Sequence, residues 1–307
     1  MIIPSCPVQQ LSIGENLYNA ITWMTFSLAG MVTMATNIDS VINLNDGTTM
    51  PLFGLGTAWT NECSQAVSYA IEQGYRMIDT AQRYGNEEDV GKGIAMSGKD
   101  RKDLFIVTKQ WQNGHDACIQ GLQRSLVRLD TDYIDLFLIH GPREGRNVET
   151  YKAMLELKKQ GLVRSVGVSN FNIHHLEGLR NAGLPTPSVN QIELHPWLQP
   201  REIIDYCKKY DITVMGYSPL VKSKMLKNQQ ICDLATRYNK TTAQILIRWS
   251  VQHGYITIPK SSKPNRIKDN MQVFDWTLSE DDMDYLDQNN VEEIRCAWDA
   301  INSEWHG

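Results

Sequence analysis

From residue 40 onward the chain alternates between two hydrophobic rhythms. Short apolar runs rich in β-branched and aromatic residues recur at Phe53–Gly56, Arg76–Asp79, Leu104–Lys109, Tyr133–Ile139, Val163–Val168, Ser188–Gln191, Thr213–Tyr217 and Tyr255–Ile258, and each reads as a strand. Between them lie stretches with helical spacing, among them Ser64–Gln73, Ala117–Leu129, Thr150–Lys159, Arg201–Tyr210 and Thr242–His253. Each is long enough to cross over and bring the next strand back parallel. Eight such units predict an α/β fold, a closed (β/α)8 TIM barrel. Ahead of them Val41–Leu44 and Thr49–Leu52 flank the turn signal Asn45-Asp46-Gly47, which predicts an N-terminal β-hairpin closing the barrel bottom.

A doubly wound sheet is the alternative architecture, but no candidate strand is followed by its G-x-G-x-x-G fingerprint; Gly54-Leu55-Gly56 lacks the third glycine. Gly93–Asp100 approaches a phosphate-binding loop, yet it follows helical residues and ends in Asp where a magnesium-binding hydroxyl is needed. Gly98 there reads as a helix end. Gly167-Val168-Ser169-Asn170-Phe171 lacks the second glycine of a nucleophile elbow, which removes the main support for a hydrolase.

At 307 residues the chain fits one barrel domain, expected over residues 37–307. Residues 1–36 are expected to be an extension, disordered or absent from the native product. Its segment Ala20–Ala35 is apolar like the middle of a signal peptide, but no Lys or Arg precedes Arg76, and the run is short for a membrane span. The net charge of -5 and the lack of basic runs leave no footprint for a nucleic acid or an anionic membrane, so the expected partner is a small molecule. Six scattered cysteines without a C-x-x-C pair read as reduced thiols of a cytoplasmic protein.

Candidate chemistry collects where apolar runs break off. Asp79 ends the second strand run, Lys109 the third, and His140 follows the fourth, while Tyr84 lies in the loop after Asp79. A barrel gathers its functional groups at these C-terminal strand ends. A tyrosine beside an ammonium and an imidazole is a general acid whose proton the cation is expected to loosen. Asp79 would hold Lys109 in place, and His140 would donate a hydrogen bond to a carbonyl oxygen. No metal is needed. Singly, each residue has an ordinary reading as a cap, a surface pair or a structural histidine; their joint placement is what points to catalysis. Among the other histidines, His174-His175 is expected to start a helix surface, His115 to lie in a loop, and His195 to support a strand end.

Gly74-Tyr75-Arg76-Met77-Ile78-Asp79-Thr80-Ala81 with Tyr84-Gly85-Asn86-Glu87, Leu129–Leu136 with Ile139-His140, Gly167–Phe171, Asn190–Pro196 and Ile258-Pro259-Lys260-Ser261 together resemble the signatures of the aldo-keto reductase family over residues 40–299. The resemblance implies a broad-specificity reductase of aldehydes and ketones that uses NADPH/NADP+, with Asp79, Tyr84, Lys109 and His140 as a tetrad and Tyr84 as proton donor. It further implies that Ser169, Asn170 and Gln191 bind the carboxamide, that Tyr217 stacks on the nicotinamide with Ser218 and Leu220 beside it, and that Lys260, Ser261, Arg266 and Asn270 hold the adenosine 2′-phosphate and adenine. Trp59, Trp111 and Trp197 are the expected substrate-pocket aromatics. Family habit favours a monomer.

Two departures bear on substrate. Many relatives place Trp after the histidine, whereas His140-Gly141-Pro142 removes that aromatic wall, and only eight residues follow Asp299. Both suggest an open pocket. The alternative functions are an NADPH-binding regulatory or structural barrel with little turnover, and a phosphate-handling barrel isomerase or lyase that uses residues 260–270 for its substrate.

Overall fold

The computed structural model describes residues 35–142, 145–290 and 294–307. The extension expected at 1–36 therefore lies almost wholly outside the described residues. The hairpin forms from β1 (Val41–Asn43) and β2 (Thr49–Pro51), paired antiparallel about Gly47, whose φ of 83° is the left-handed conformation that the turn demands. Eight parallel strands follow: β3 (Gly54–Gly56), β4 (Met77–Asp79), β5 (Phe105–Gln110), β6 (Ile134–Ile139), β7 (Val163–Ser169), β8 (Val189–Glu193), β9 (Thr213–Tyr217) and β10 (Ile256–Thr257). They are hydrogen-bonded in sequence order, and the two ends of the sheet meet through parallel bridges Phe53↔Thr257 and Gly56↔Lys260.

Strands β4, β5 and β6 are buried along their whole length, as a parallel sheet covered on both faces must be, so they read as continuous apolar runs instead of alternating ones. Where a strand does carry a charge, it is paid for locally. Asp135 in β6 is fully buried and accepts hydrogen bonds from Arg101 (2.7 Å), Arg164 (3.0 Å) and the Ile106 amide (2.9 Å).

The hairpin lies across the ends at which the strands begin. Asn45 donates to the carbonyls of Pro187 and Asp211, just ahead of β8 and β9, while Leu44, Met50 and Leu52 are buried in the main core. The barrel bottom is thereby closed, which leaves the opposite rim for chemistry. A second apolar cluster, built on Trp249, Leu246, Ile231 and Leu234, packs the helices Gln229–Tyr238 and Thr242–Gln252 together and includes Trp197. In the described residues no helix is long and apolar enough to cross a membrane.

Candidate active site

Strands β4 and β5 pair with Asp79 opposite Val107, so Asp79 and Lys109 emerge at neighbouring rim positions. Lys109 is fully buried, and its Nζ donates to Asp79 Oδ1 (2.7 Å), the Thr80 carbonyl (2.8 Å) and Tyr84 Oη (3.4 Å). Burial pulls this ammonium below its ordinary value, against the opposing pull of Asp79. Tyr84 is delivered by a single 3-10 turn, Gln82–Tyr84, which Gly85 ends with a φ of 69°. His140 lies one residue past β6, with its ring 5.6 Å from the Tyr84 ring in an edge-on arrangement. The four groups expected from separate strand ends thus meet in one place.

One sequence expectation differs in sign. Lys109 was expected to loosen the Tyr84 proton, but burial pushes the hydroxyl well above the usual tyrosine range and the Asp79 charge adds to the shift. The cation is largely neutralised by Asp79 and sits farther from the phenol than from the carboxylate, so burial wins. Tyr84 is therefore a phenol throughout the neutral range.

Ser169, Asn170, Gln191 and Tyr217 form a continuous network beside the tetrad. Gln191 donates to the second oxygen of Asp79 (2.8 Å), Ser169 donates to the Gln191 carbonyl (2.9 Å), and Asn170 donates to the His140 carbonyl (3.0 Å). Tyr217 donates to Asn170 Oδ1 (2.8 Å), and Asn170 is held at a φ of 61°. Amide groups on adjacent strand ends, with a phenol ring at their side, suit a flat ligand that bears a carboxamide. Ser218 and Leu220 follow in a tight turn in which Ser218 also has positive φ. Beyond β10, Lys260 and Arg266 are exposed while Ser261 and Asn270 are buried, a cationic rim over polar walls that matches a phosphate-bearing group.

Of the expected pocket aromatics, the Trp59 ring lies 5.8 Å from Tyr84 and the Trp111 ring 5.3 Å from His140. Trp197 packs in the second apolar cluster, and its ring neighbour is His195 at 6.4 Å. Residue Trp298, not singled out from the sequence, stands 5.7 Å from Trp111 and 6.0 Å from His140. It occupies the space that Gly141 leaves open, since a Cβ on Gly141 would come within 2.5 Å of its ring. The wall expected to be missing is supplied by the tail. Gly141→Trp should consequently expel Trp298 and expose the tail, an outcome read as faster proteolytic loss of the C-terminal residues; unchanged cleavage would mean that the ring has another anchor.

One anchor of the tail is Glu193, also missed although it lies inside the Asn190–Pro196 motif. It accepts hydrogen bonds from the amides of Cys296 (2.6 Å) and Ala297 (2.9 Å) and pairs with His195 Nε2 (3.1 Å). Burial alone would raise its carboxyl, but the bonds from His195 and the two amides hold it below the ordinary range. The ligand atoms of Glu193, His195 and Cys296 lie within 4.8 Å of one another, with the carboxylate committed to these structural bonds. His175 is buried instead of on a helix surface. It caps the helix Ile173–Asn181 and donates to the Ser303 carbonyl (2.7 Å), and burial lowers it to about 4. His115 opens the helix His115–Leu129.

A barrel with these strand-end groups defines the class, and comparison with known proteins agrees. A model of the Aldo/keto reductase family matches residues 49–291. The glyoxal reductase of Bacillus subtilis is 43% identical over 265 residues, covering 85% of this chain and 96% of that protein. The methylglyoxal reductase of Escherichia coli is 44% identical over 250 residues, covering 80% and 91%. Among solved structures, the Bombyx mori aldo-keto reductase in complex with NADP superposes with a TM-score of 0.78 at 35% identity, covering 86% of this chain and 96% of that one. The chain belongs to the aldo/keto reductase family. It is accordingly an NADPH-dependent oxidoreductase acting on carbonyl groups.

Proposed function

We propose that the protein reduces small aldehydes and ketones, short dicarbonyls of the glyoxal and methylglyoxal type among them, to alcohols, with Tyr84 as general acid. The observation that carries this reading is the position of Tyr84, with Oη 3.4 Å from Lys109 Nζ and its ring 5.6 Å from that of His140. Tyr84 keeps its proton at neutral pH, so it meets the substrate as a donor. His140 orients the carbonyl oxygen, and Lys109 stabilises the phenolate left after transfer. Asp79, bonded on one oxygen by Lys109 and on the other by Gln191, fixes the ammonium in place. NADPH, when bound, supplies the hydride. Ser169, Asn170, Gln191 and Tyr217 would orient its nicotinamide, with Ser218 and Leu220 flanking, and Lys260, Ser261, Arg266 and Asn270 would hold its phosphate-bearing end.

Lys260 and Arg266 stand exposed beside the buried Ser261 and Asn270, an arrangement that supports a role in holding a phosphate. Lys260→Ala with Arg266→Ala should raise KM for NADPH by about tenfold or more, the loss of charge-assisted bonds worth about 1.4 kcal/mol or above, and leave KM for NADH little changed. Steady-state kinetics with both nucleotides and a panel of aldehydes and ketones test this. Equal losses for the two nucleotides would remove these cations from phosphate recognition. The scattered free cysteines favour a reducing compartment such as the cytosol, and we take the acting unit to be a monomer.

A further inference from the structure

We propose that Arg83 is an anion-recognising residue at the mouth of the substrate site, so that the enzyme favours carbonyl substrates that also carry a carboxylate. This inference rests on the carbonyl-reductase reading above and narrows its substrate class. Arg83 is the middle residue of the turn that presents Tyr84. Its guanidinium carbon lies 5.4 Å from the centroid of Trp59 and 5.0 Å from that of Trp111. Those two indoles are the ones that stand beside Tyr84 and His140. The cation is therefore held at the rim of the reacting site even though the side chain is exposed.

A cation–π contact is electrostatic and uses none of a guanidinium's N–H donors on a hydrogen-bond acceptor. Among the described residues Arg83 has these two rings as partners and no carboxylate. Lys109, the cation beside Tyr84, is matched by Asp79 at 2.7 Å, whereas Arg83 has no ion-pair partner among the described residues. Trp59 is 58% exposed and sits at a φ of 53°, a backbone conformation that a bulky residue adopts only where its loop imposes it. The loop thus sets one indole out at the rim, where Arg83 lies against it. A substrate with its carbonyl against Tyr84 and His140, and a short chain or ring running between Trp59 and Trp111, would present a distal carboxylate to the donor edge of Arg83. Bidentate pairing there would add affinity and fix which end of the substrate enters.

The test compares para-carboxybenzaldehyde with para-nitrobenzaldehyde, rings of similar size that differ in charge, the nitro compound being the more activated carbonyl. The wild type should show the higher kcat/KM with the carboxylate. In Arg83→Gln the ratio of the two kcat/KM values should fall about tenfold, chiefly through KM for the anionic aldehyde, and Arg83→Lys should recover part of it. Added salt should compress the wild-type ratio and leave that of Arg83→Gln almost flat. A wild type that turns over the nitro compound with no preference for the carboxylate, or a ratio that survives Arg83→Gln, overturns the inference while the reductase stands. Failure to reduce either of these aldehydes, and methylglyoxal as well, overturns both readings. NADPH affinity, measured in parallel, should be the same in all three proteins, and a loss there in Arg83→Gln would assign the residue to the cofactor instead.

Discussion

Tyr84→Phe is expected to lower turnover by about 10²–10⁴-fold, the range that a positioned general acid supplies, while NADPH affinity stays near that of the wild type. The substitution removes one oxygen and keeps the ring, so the packing against Trp59 and the edge-on contact with His140 persist. The hydroxyl donates no structural hydrogen bond in the network of Ser169, Asn170, Gln191 and Tyr217, which closes on itself and on Asp79. Loss of rate should therefore come without loss of fold or of cofactor binding. A Tyr84→Phe protein that retained most of its kcat would transfer the proton-donor role to another group, with His140 the first to examine.

The second large effect is on stability. Lys109→Met leaves the buried Asp79 carboxylate with Gln191 as its remaining side-chain partner, and breaking a buried pair from one side costs about 3–5 kcal/mol. Denaturant unfolding should show this loss, and turnover should fall with it because the phenolate at Tyr84 is no longer stabilised. Combining Lys109→Met with Asp79→Asn removes the orphaned charge, so most of the stability should return while activity does not. If the single variant unfolds within about 1 kcal/mol of the wild type, the carboxylate is not a charged, dehydrated group in the native state.

The barrel and the meeting of the four reactive groups were legible in the sequence for related reasons. Strands buried on both faces produce continuous apolar runs, and a run that stops at Asp79, Lys109 or just before His140 marks a rim position directly. Residues whose roles depend on contacts far along the chain were not legible. Trp298 completes a wall beside Gly141, more than a hundred and fifty positions earlier, and nothing local in Ala297-Trp298-Asp299 announces it. Glu193 was in view as part of a motif, but its purpose lies in the amides of Cys296 and Ala297. The direction of the Tyr84 shift was misjudged because spacing reveals charged neighbours and conceals burial, and burial is the larger effect here. Arg83 lay inside the quoted Tyr84 segment, yet only the folded turn brings it near two tryptophans.

The measurement that bears most directly on the central claim is the fate of a deuterium carried on the reactive nicotinamide carbon of NADPH during reduction of methylglyoxal. Direct transfer within this site predicts one deuterium on the carbinol carbon of the product for each NADPH consumed, with the hydroxyl proton drawn from solvent by way of Tyr84. NADPH that binds without being consumed, or deuterium that appears in water instead of in the alcohol, would contradict the account.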